Sequence, residues 1–120
     1  MGDKVFEIEE FETNGRSPFG TWFDKLDSVP AAKIVIALTR LKVGQHSKVK
    51  SVDGGVKEYK IDFGPGYRIY FGMDGDNLII LLCGRDKKTQ GKDIEKSKIY
   101  WQDYKDRKKK EVKHGTYKEV

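Results

Sequence analysis

Two different spacings of apolar residues divide the chain into helical and extended stretches. Residues 4–11 alternate apolar and acidic side chains, which predicts a half-buried strand. Ser17 followed by Pro18 is typical of a helix start, with the serine as N-cap and the proline at the first helical position. A second helix is predicted from Ser28 to Gly44. The apolar stripes of these two helices are Phe19, Trp22, Phe23 and Leu26, and Ile34, Val35, Leu38 and Leu41.

After position 47 the apolar residues recur at every second position, which predicts a set of short strands. The predicted strands cover residues 48–52, 57–63, 67–73 and 78–83. A glycine-containing turn separates each strand from the next, as in hairpins. The last strand is an unbroken apolar run, which is typical of a central strand. A final helix, capped by Thr89, is predicted to bury Ile94, Trp101 and Tyr104.

This order of elements predicts an α+β domain. We expect a small twisted antiparallel sheet with an N-terminal helical hairpin on one face and a C-terminal helix after it. The opposite face of the sheet is expected to be a solvent-open, mostly cationic concavity. The domain is predicted to cover residues 1–104, followed by a basic extension over residues 105–120.

The charge of the sequence points to a class of binding partner. The 120 residues include 24 Lys and Arg against 19 Asp and Glu, a formal net charge of +5. Residues 1–30 carry a net charge of −4 and residues 84–120 a net charge of +6. This asymmetry indicates a cationic face aimed at a polyanion. The alternative interpretation is a solvated surface with a charged tail.

Composition excludes several classes of protein. The longest apolar run has six residues, whereas a membrane-spanning helix needs about 20, so no membrane contact is expected. The first residues lack the apolar segment of a signal peptide, which favours a cytoplasmic protein. Cys83 is the single cysteine and is expected to be a buried thiol, and His46 an ordinary surface histidine. No metal site and no cofactor are expected.

The candidate functional residues are cations on the polar face of the predicted sheet. Arg68 lies in the middle of a strand, where it needs an anionic partner. That partner is either Glu58 or Asp62 on the neighbouring strand, or a phosphate held by the guanidinium fork. Three cations of the loop after the last strand precede a helix N-terminus, where backbone N–H groups favour anions. They are Arg85, Lys87 and Lys88, and further candidate contacts to nucleic acid are Lys48, Lys50 and Lys57.

Two blocks of the sequence resemble a known family. Residues 59–71, YKIDFGPGYRIYF, are similar to the core signature of addiction module killer proteins. Residues 81–90, LLCGRDKKTQ, followed by Asp93 and Ile94, are similar to the second block of the same proteins. The resemblance spans about residues 4–104 and points to the HigB-like branch of the RelE/ParE toxin superfamily.

The resemblance implies a RelE-like fold and the toxin of a bacterial type II toxin–antitoxin system. Many relatives are endoribonucleases that cleave mRNA on the ribosome without a metal, by attack of the RNA 2′-hydroxyl on the adjacent phosphate. The implied partners are a helix-turn-helix antitoxin, mRNA on the ribosome and, only through the antitoxin complex, operator DNA. Residues 105–120 then either contact ribosomal RNA or form a disordered, solvated end.

Residue by residue, the resemblance implies that Arg68 holds the phosphate and that Lys60 lowers the pKa of the 2′-hydroxyl. The basic residue expected after the last strand matches Arg85 or Lys87. Asp62 stands where the RelE type has a second lysine, and no histidine follows the last strand as a general acid. The candidate acids are therefore Lys87 and Asp86.

Two other functions remain open. A ParE-like toxin that inhibits DNA gyrase without cleaving nucleic acid would fit the missing acid, although the retained Arg68 and the basic loop argue against it. A basic RNA-binding module without catalysis is the third interpretation, and neutralisation by an antitoxin would distinguish either toxin from it.

Overall fold

The structure, a computed structural model, describes residues 5–86 and 92–118. This part of the chain forms five strands and three helices. They are β1 (Glu7–Glu10), α1 (Pro18–Asp24), α2 (Ser28–Lys42), β2 (Val49–Ser51), β3 (Lys57–Ile61), β4 (Tyr67–Asp74), β5 (Leu78–Asp86) and α3 (Lys92–Lys118). A short 3-10 turn, Asp53–Gly55, joins β2 to β3.

The five strands form one sheet in the order β1-β5-β4-β3-β2. Strands β2 to β5 are antiparallel neighbours, as expected from their glycine turns. The predicted α+β class is confirmed, but β1 pairs with β5 in parallel, so the sheet is mixed rather than antiparallel throughout. A parallel pair needs a long crossover connection, and here it consists of α1, α2 and the hairpins.

The helical hairpin packs on one face of the sheet. Ser17 caps α1 as predicted, since its hydroxyl accepts a hydrogen bond from the amide of Gly20 at 2.8 Å. Phe19, Ile34 and Leu41 are buried in this first core with the apolar positions of β3, β4 and β5. The predicted burial of Val35 is wrong, because its side chain is 51% exposed and Ala37 takes the inward position.

The second face of the sheet carries a second core under α3. Trp101 of α3 is buried there with Tyr70 of β4 and Ile80 and Leu82 of β5. A Cβ atom on Gly72 would lie 2.4 Å from the Trp101 ring, so this glycine allows the helix to approach the strand closely. The expectation of a solvent-open second face is therefore wrong for the part of the sheet that α3 covers.

An irregularity in β5 decides which of its side chains share a face. Tyr70 pairs with Cys83 and Phe71 with Leu81, so Leu82 is an extra residue without a partner on β4. Such a bulge inverts the alternation of the side chains that follow it. Gly84 consequently faces Trp22 of α1, and Arg85 lies on the face shared with α3.

Helix α3 is longer than the apolar pattern predicted. It continues through the charged run after Tyr104 to Lys118. Arg107 donates to the carbonyl of Glu12 at 2.7 Å, and its guanidinium lies 5.0 Å from the centre of the Phe11 ring. The predicted cap, Thr89, lies outside the described residues.

Candidate nucleic-acid interface

Three cations form a row across the three inner strands, near the end of the sheet where β3 turns into β4. Lys60 of β3 is paired with Arg68 of β4, and Arg68 is paired with Arg85 of β5. Strand alternation and the β5 bulge place all three on the face that carries α3. We call Lys60, Arg68 and Arg85 the cationic row.

Arg68 is held by a buried carboxylate. Its Nε lies 3.5 Å from Oε1 of Glu58, a residue that is only 6% exposed. Lys50 of β2 approaches the same oxygen at 3.5 Å, from the solvent side. The ion pair between Arg68 and Glu58 that the sequence left open is therefore present. The terminal nitrogens of Arg68 have one contact in the described residues, from Nη1 to the carbonyl of Tyr67 at 3.4 Å.

Tyr70 connects this ion pair to Arg85. Its hydroxyl donates to Oε2 of Glu58 at 3.0 Å and accepts a hydrogen bond from Nε of Arg85 at 2.9 Å. Asp93 of α3 lies 3.9 Å from the same Arg85 nitrogen. Burial raises the pKa of Tyr70 above its ordinary value, so the hydroxyl keeps its proton and acts as a bridge. The two arginines are thus fixed relative to each other.

Lys60 lies at the open end of the row. It shares Asp62 with Lys48, at 3.7 Å and 2.7 Å respectively. The hydrogen bond from Lys48 holds the pKa of Asp62 below its ordinary value, so the carboxylate remains ionised near neutral pH. A cleft of about 270 Å³ lies between Lys60, Arg68 and the β3–β4 turn at residues 63–66. An anion of the size of a phosphodiester can enter this cleft from solvent.

The remaining predicted site residues lie on the opposite face of their strands from the cationic row or outside the described residues. Lys57 lies on the opposite face of β3 from Lys60 by strand alternation, and its ammonium donates to the Ser51 hydroxyl at 3.3 Å. Asp86 pairs with Tyr67 and is on the opposite side of β5 from Arg85. Lys87 and Lys88 lie outside the described residues.

Sequence reasoning did not include Glu58, Tyr70 or Asp93 among the site residues. Glu58 was considered only as an ion-pair partner, because alternation in β3 places it on a face that looked solvated. A usable signal was the direct pairing of Glu58 with Tyr70 in an antiparallel hairpin, which brings a carboxylate and a hydroxyl within reach.

Cys83 behaves as predicted, whereas His46 is half-buried rather than an ordinary surface histidine. Cys83 is buried, and burial raises the pKa of its thiol, which disfavours the thiolate. His46 lies beside the Phe6 ring, with ring centres 4.7 Å apart, and its Nε2 lies 3.0 Å from the carbonyl of Leu41. Within the described residues, no three His, Cys, Asp or Glu side chains are grouped so that they could hold a metal ion.

Comparison with known proteins identifies the family. The family described as "Phage derived protein Gp49-like (DUF891)" matches residues 21–105. A Haemophilus influenzae protein named "Uncharacterized protein" is 44% identical over 86 residues, which cover 71% of this chain and 87% of the relative. The chain belongs to the Gp49-like family, which is part of the RelE/Gp49 toxin-like superfamily. Members are often related to toxin–antitoxin systems, and membership implies an antitoxin partner in general.

The matched region contains the whole cationic row and ends one residue after Tyr104. No helix in residues 5–86 and 92–118 is both long and apolar enough to cross a membrane.

Proposed function

We propose that this protein is the toxin of a type II toxin–antitoxin system and that it cleaves mRNA on the ribosome as a HigB-like endoribonuclease in the bacterial cytoplasm. The cationic row carries this proposal, because it sets the ammonium of Lys60 and the guanidinium of Arg68 side by side at an open cleft, with a second guanidinium, that of Arg85, on the next strand. Fixed cations of this kind stabilise charge that develops on a phosphate during reaction, and such stabilisation is often the largest contribution to catalysis.

In the proposed reaction the RNA supplies the nucleophile. The 2′-oxygen forms a bond to the adjacent phosphorus, its proton passes to a base, and the bond to the 5′-oxygen breaks. The products are a 2′,3′-cyclic phosphate and a 5′-hydroxyl end. Lys60 lowers the pKa of the 2′-hydroxyl, while Arg68 binds the non-bridging oxygens in the dianionic transition state. Arg85 adds positive charge from the next strand.

The proton donor to the leaving 5′-oxygen belongs to the segment that follows Arg85. Asp86 and Lys87 are the candidates, and the position of Asp86 on the opposite side of β5 from Arg85 counts against Asp86. The donor would be identified by the variant, Asp86→Asn or Lys87→Ala, that lowers the cleavage rate and shifts the pH profile of the remaining activity.

The proposal includes a helix-turn-helix antitoxin as the partner that neutralises the toxin and that carries the complex to operator DNA. A ParE-like inhibitor of gyrase is the second candidate function. The engagement of Arg68 by Glu58 favours this alternative, since the arginine already has an anionic partner without RNA.

The deciding experiment is induced expression in a bacterial host, followed by primer extension on an abundant message. Wild type is compared with Arg68→Ala and with Lys25→Gln, an exposed lysine outside the cationic row that serves as a charge control. We expect new 5′-hydroxyl ends within the translated region for wild type and Lys25→Gln, and none for Arg68→Ala.

Growth arrest with intact messages would contradict the ribonuclease proposal and support the gyrase-type function. Arrest that co-expressed antitoxin fails to relieve would contradict the assignment as a toxin of this type. Circular dichroism of purified Arg68→Ala is needed beside the cell assay, so that loss of cleavage is separated from loss of fold.

A further inference from the structure

A second cationic cavity lies next to the cleft of the cationic row. It has a volume of about 320 Å³ and lies between α2 and the β2–β3 edge of the sheet. Its charged lining consists of Lys33, Arg40, Lys48, Lys60 and Asp62. We call this cavity the α2 groove.

The groove has an excess of positive charge that the protein does not neutralise. Its one carboxylate, Asp62, is engaged by Lys48 and Lys60. In the described part of the chain, the Arg40 guanidinium has no hydrogen bond or ion pair. Lys33 has no carboxylate partner there either, and its ammonium lies 5.1 Å from the centre of the Phe63 ring. Two exposed cations of α2 therefore point at the groove without an anion.

The groove is continuous with the cleft. Lys60, Asp62 and Phe63 line both cavities. An anionic chain bound at Lys60 and Arg68 therefore enters the α2 groove without leaving the protein surface. Lys33 and Arg40 are seven residues apart on one helix, which separates them by about 10 Å along its axis. This spacing allows the two side chains to contact different phosphates of one strand.

The electrostatic environment of Tyr59 agrees with this arrangement. Its hydroxyl donates to the carbonyl of Ala37 at 3.1 Å, at the base of the groove. Burial raises the pKa of Tyr59, and the positive charges of Arg40 and Lys48 oppose that increase. The field of the two cations therefore reaches the bottom of the groove.

We propose that the α2 groove is a binding subsite for the phosphate backbone of single-stranded RNA, with Lys33 and Arg40 contacting phosphates next to the one bound at Lys60 and Arg68. The inference rests on the proposed function, because it assigns the path of the RNA whose cleavage is proposed there. An acidic protein segment is the competing occupant. RNA is favoured because the groove runs directly into the phosphate-sized cleft.

The test measures binding of an RNA that cannot react. The probe is a labelled single-stranded RNA of about ten nucleotides, long enough for both cavities, with every 2′-oxygen methylated. Fluorescence anisotropy gives its dissociation constant over a range of salt concentrations. Lys33→Gln/Arg40→Gln is compared with Lys25→Gln/Lys42→Gln, which removes the same charge from exposed positions that do not line the groove.

We expect the groove variant to bind more weakly and its salt dependence to fall by about 0.7 for each lost contact, or about 1.4 in the slope of log K against log salt. The control variant should keep the wild-type slope, and both should melt like wild type. Equal slopes for the two variants, or no binding of the RNA by wild type, would overturn the inference. If the groove variant binds RNA normally but escapes the antitoxin, the groove is a protein-docking site instead.

Cleavage assays separate this inference from the proposed function. A wild-type protein that binds the probe through the groove but leaves mRNA intact on translating ribosomes would refute the endoribonuclease and retain the subsite. Cleavage by wild type together with unchanged binding by the groove variant would refute the subsite and retain the endoribonuclease.

Discussion

At the scale of single residues, Arg68 can hold a phosphate and remain paired with Glu58. The carboxylate meets the guanidinium through Nε, at 3.5 Å. The terminal nitrogens, which form the fork that matches two phosphate oxygens, are not used by any carboxylate of the described residues. Glu58 therefore fixes the direction of the fork without occupying it, so an ion pair and a phosphate site are compatible.

The same contact makes Arg68 a structural residue. In Arg68→Ala the buried Glu58 keeps Tyr70 and Lys50 but loses a charged partner, which should lower the free energy of unfolding by about 1–3 kcal/mol. In Arg68→Ala/Glu58→Gln the unpaired charge is absent, and part of that loss should be recovered. Urea unfolding of the two single variants and the double variant measures the coupling. If the two single substitutions change the free energy of unfolding by amounts that add up to the change in the double variant, the Arg68–Glu58 pair contributes nothing to stability.

Asp62 reduces the positive charge of the interface, because its carboxylate is paired with Lys48 and Lys60. Asp62→Asn should free Lys48 and Lys60 for phosphate and raise the affinity for methylated RNA by about threefold, the size of one surface charge interaction. Asp24→Asn, an exposed carboxylate at the end of α1, removes the same charge and should change affinity less. The prediction fails if anisotropy titrations give the two variants the same dissociation constant.

At the scale of elements, the hairpin turns and the helix start at Ser17 could be predicted because each depends on a few neighbouring residues. Three features depended on distant parts of the chain. The parallel pairing of β1 joins Glu7 to Leu78, and no local pattern selects that partner. Coverage of the second sheet face by α3, and with it the burial of Glu58, also follows only from the packing of distant elements.

The placement of the candidate site residues could also be predicted only in part. Lys60 and Arg68 could be placed on one face by alternation within a short hairpin. The position of Arg85 could not, because the bulge at Leu82 inverts the alternation between the apolar run and the loop. No residue type in the run from Leu78 to Cys83 signals where the extra residue lies.

The contact between α3 and the β4–β5 turn should depend on pH. Tyr104 donates to Oδ2 of Asp74 at 2.6 Å and Lys108 approaches it at 3.2 Å, which lowers the pKa of Asp74 from 3.8. A lowered folded-state pKa gives stability that is present above the unfolded pKa and is lost as pH falls through the folded value.

Asp74→Asn should therefore be less stable than wild type by about 1 kcal/mol at neutral pH, a discounted value for a partly exposed charged hydrogen bond. The difference should shrink toward zero as pH falls below 3.8. Urea unfolding over this range checks the prediction, with Asp76→Asn in the same turn as the control. A difference that does not change with pH would contradict it.

At the scale of the whole molecule, charge changes sign across the sheet. The edge strand β1 carries Glu7, Glu9 and Glu10, whereas the opposite edge, β2 and β3, carries Lys48, Lys50 and Lys60 at or beside it. A polyanion that approaches such a molecule is attracted to one edge and repelled by the other, which orients it before contact. The uneven charge of the sequence thus gives the folded protein an electrostatic field that orients an approaching polyanion.

The length of α3 affects the stability of the whole domain. Deleting residues 105–120 removes Arg107 from Phe11 and Lys108 from Asp74, and it opens the apolar cleft of about 480 Å³ beside Trp101. We expect the melting temperature to fall by about 4–8 °C, the equivalent of about 1 kcal/mol. A chain ending at Glu111 keeps these contacts and should melt close to wild type. Equal melting of all three chains would support residues 1–104 as a self-sufficient domain.

The bulge at Leu82 makes β5 unequally sensitive to the loss of a residue along its length. Deleting Leu82 itself would remove the bulge and leave Leu81, Cys83, Gly84 and Arg85 in regular alternation, with Arg85 still opposite Arg68. Deleting Gly84 would instead keep the bulge and bring Arg85 to the position that faces Trp22, although every cation would remain in the sequence. Scanning by substitution cannot reveal this difference, whereas a pair of single-codon deletions can.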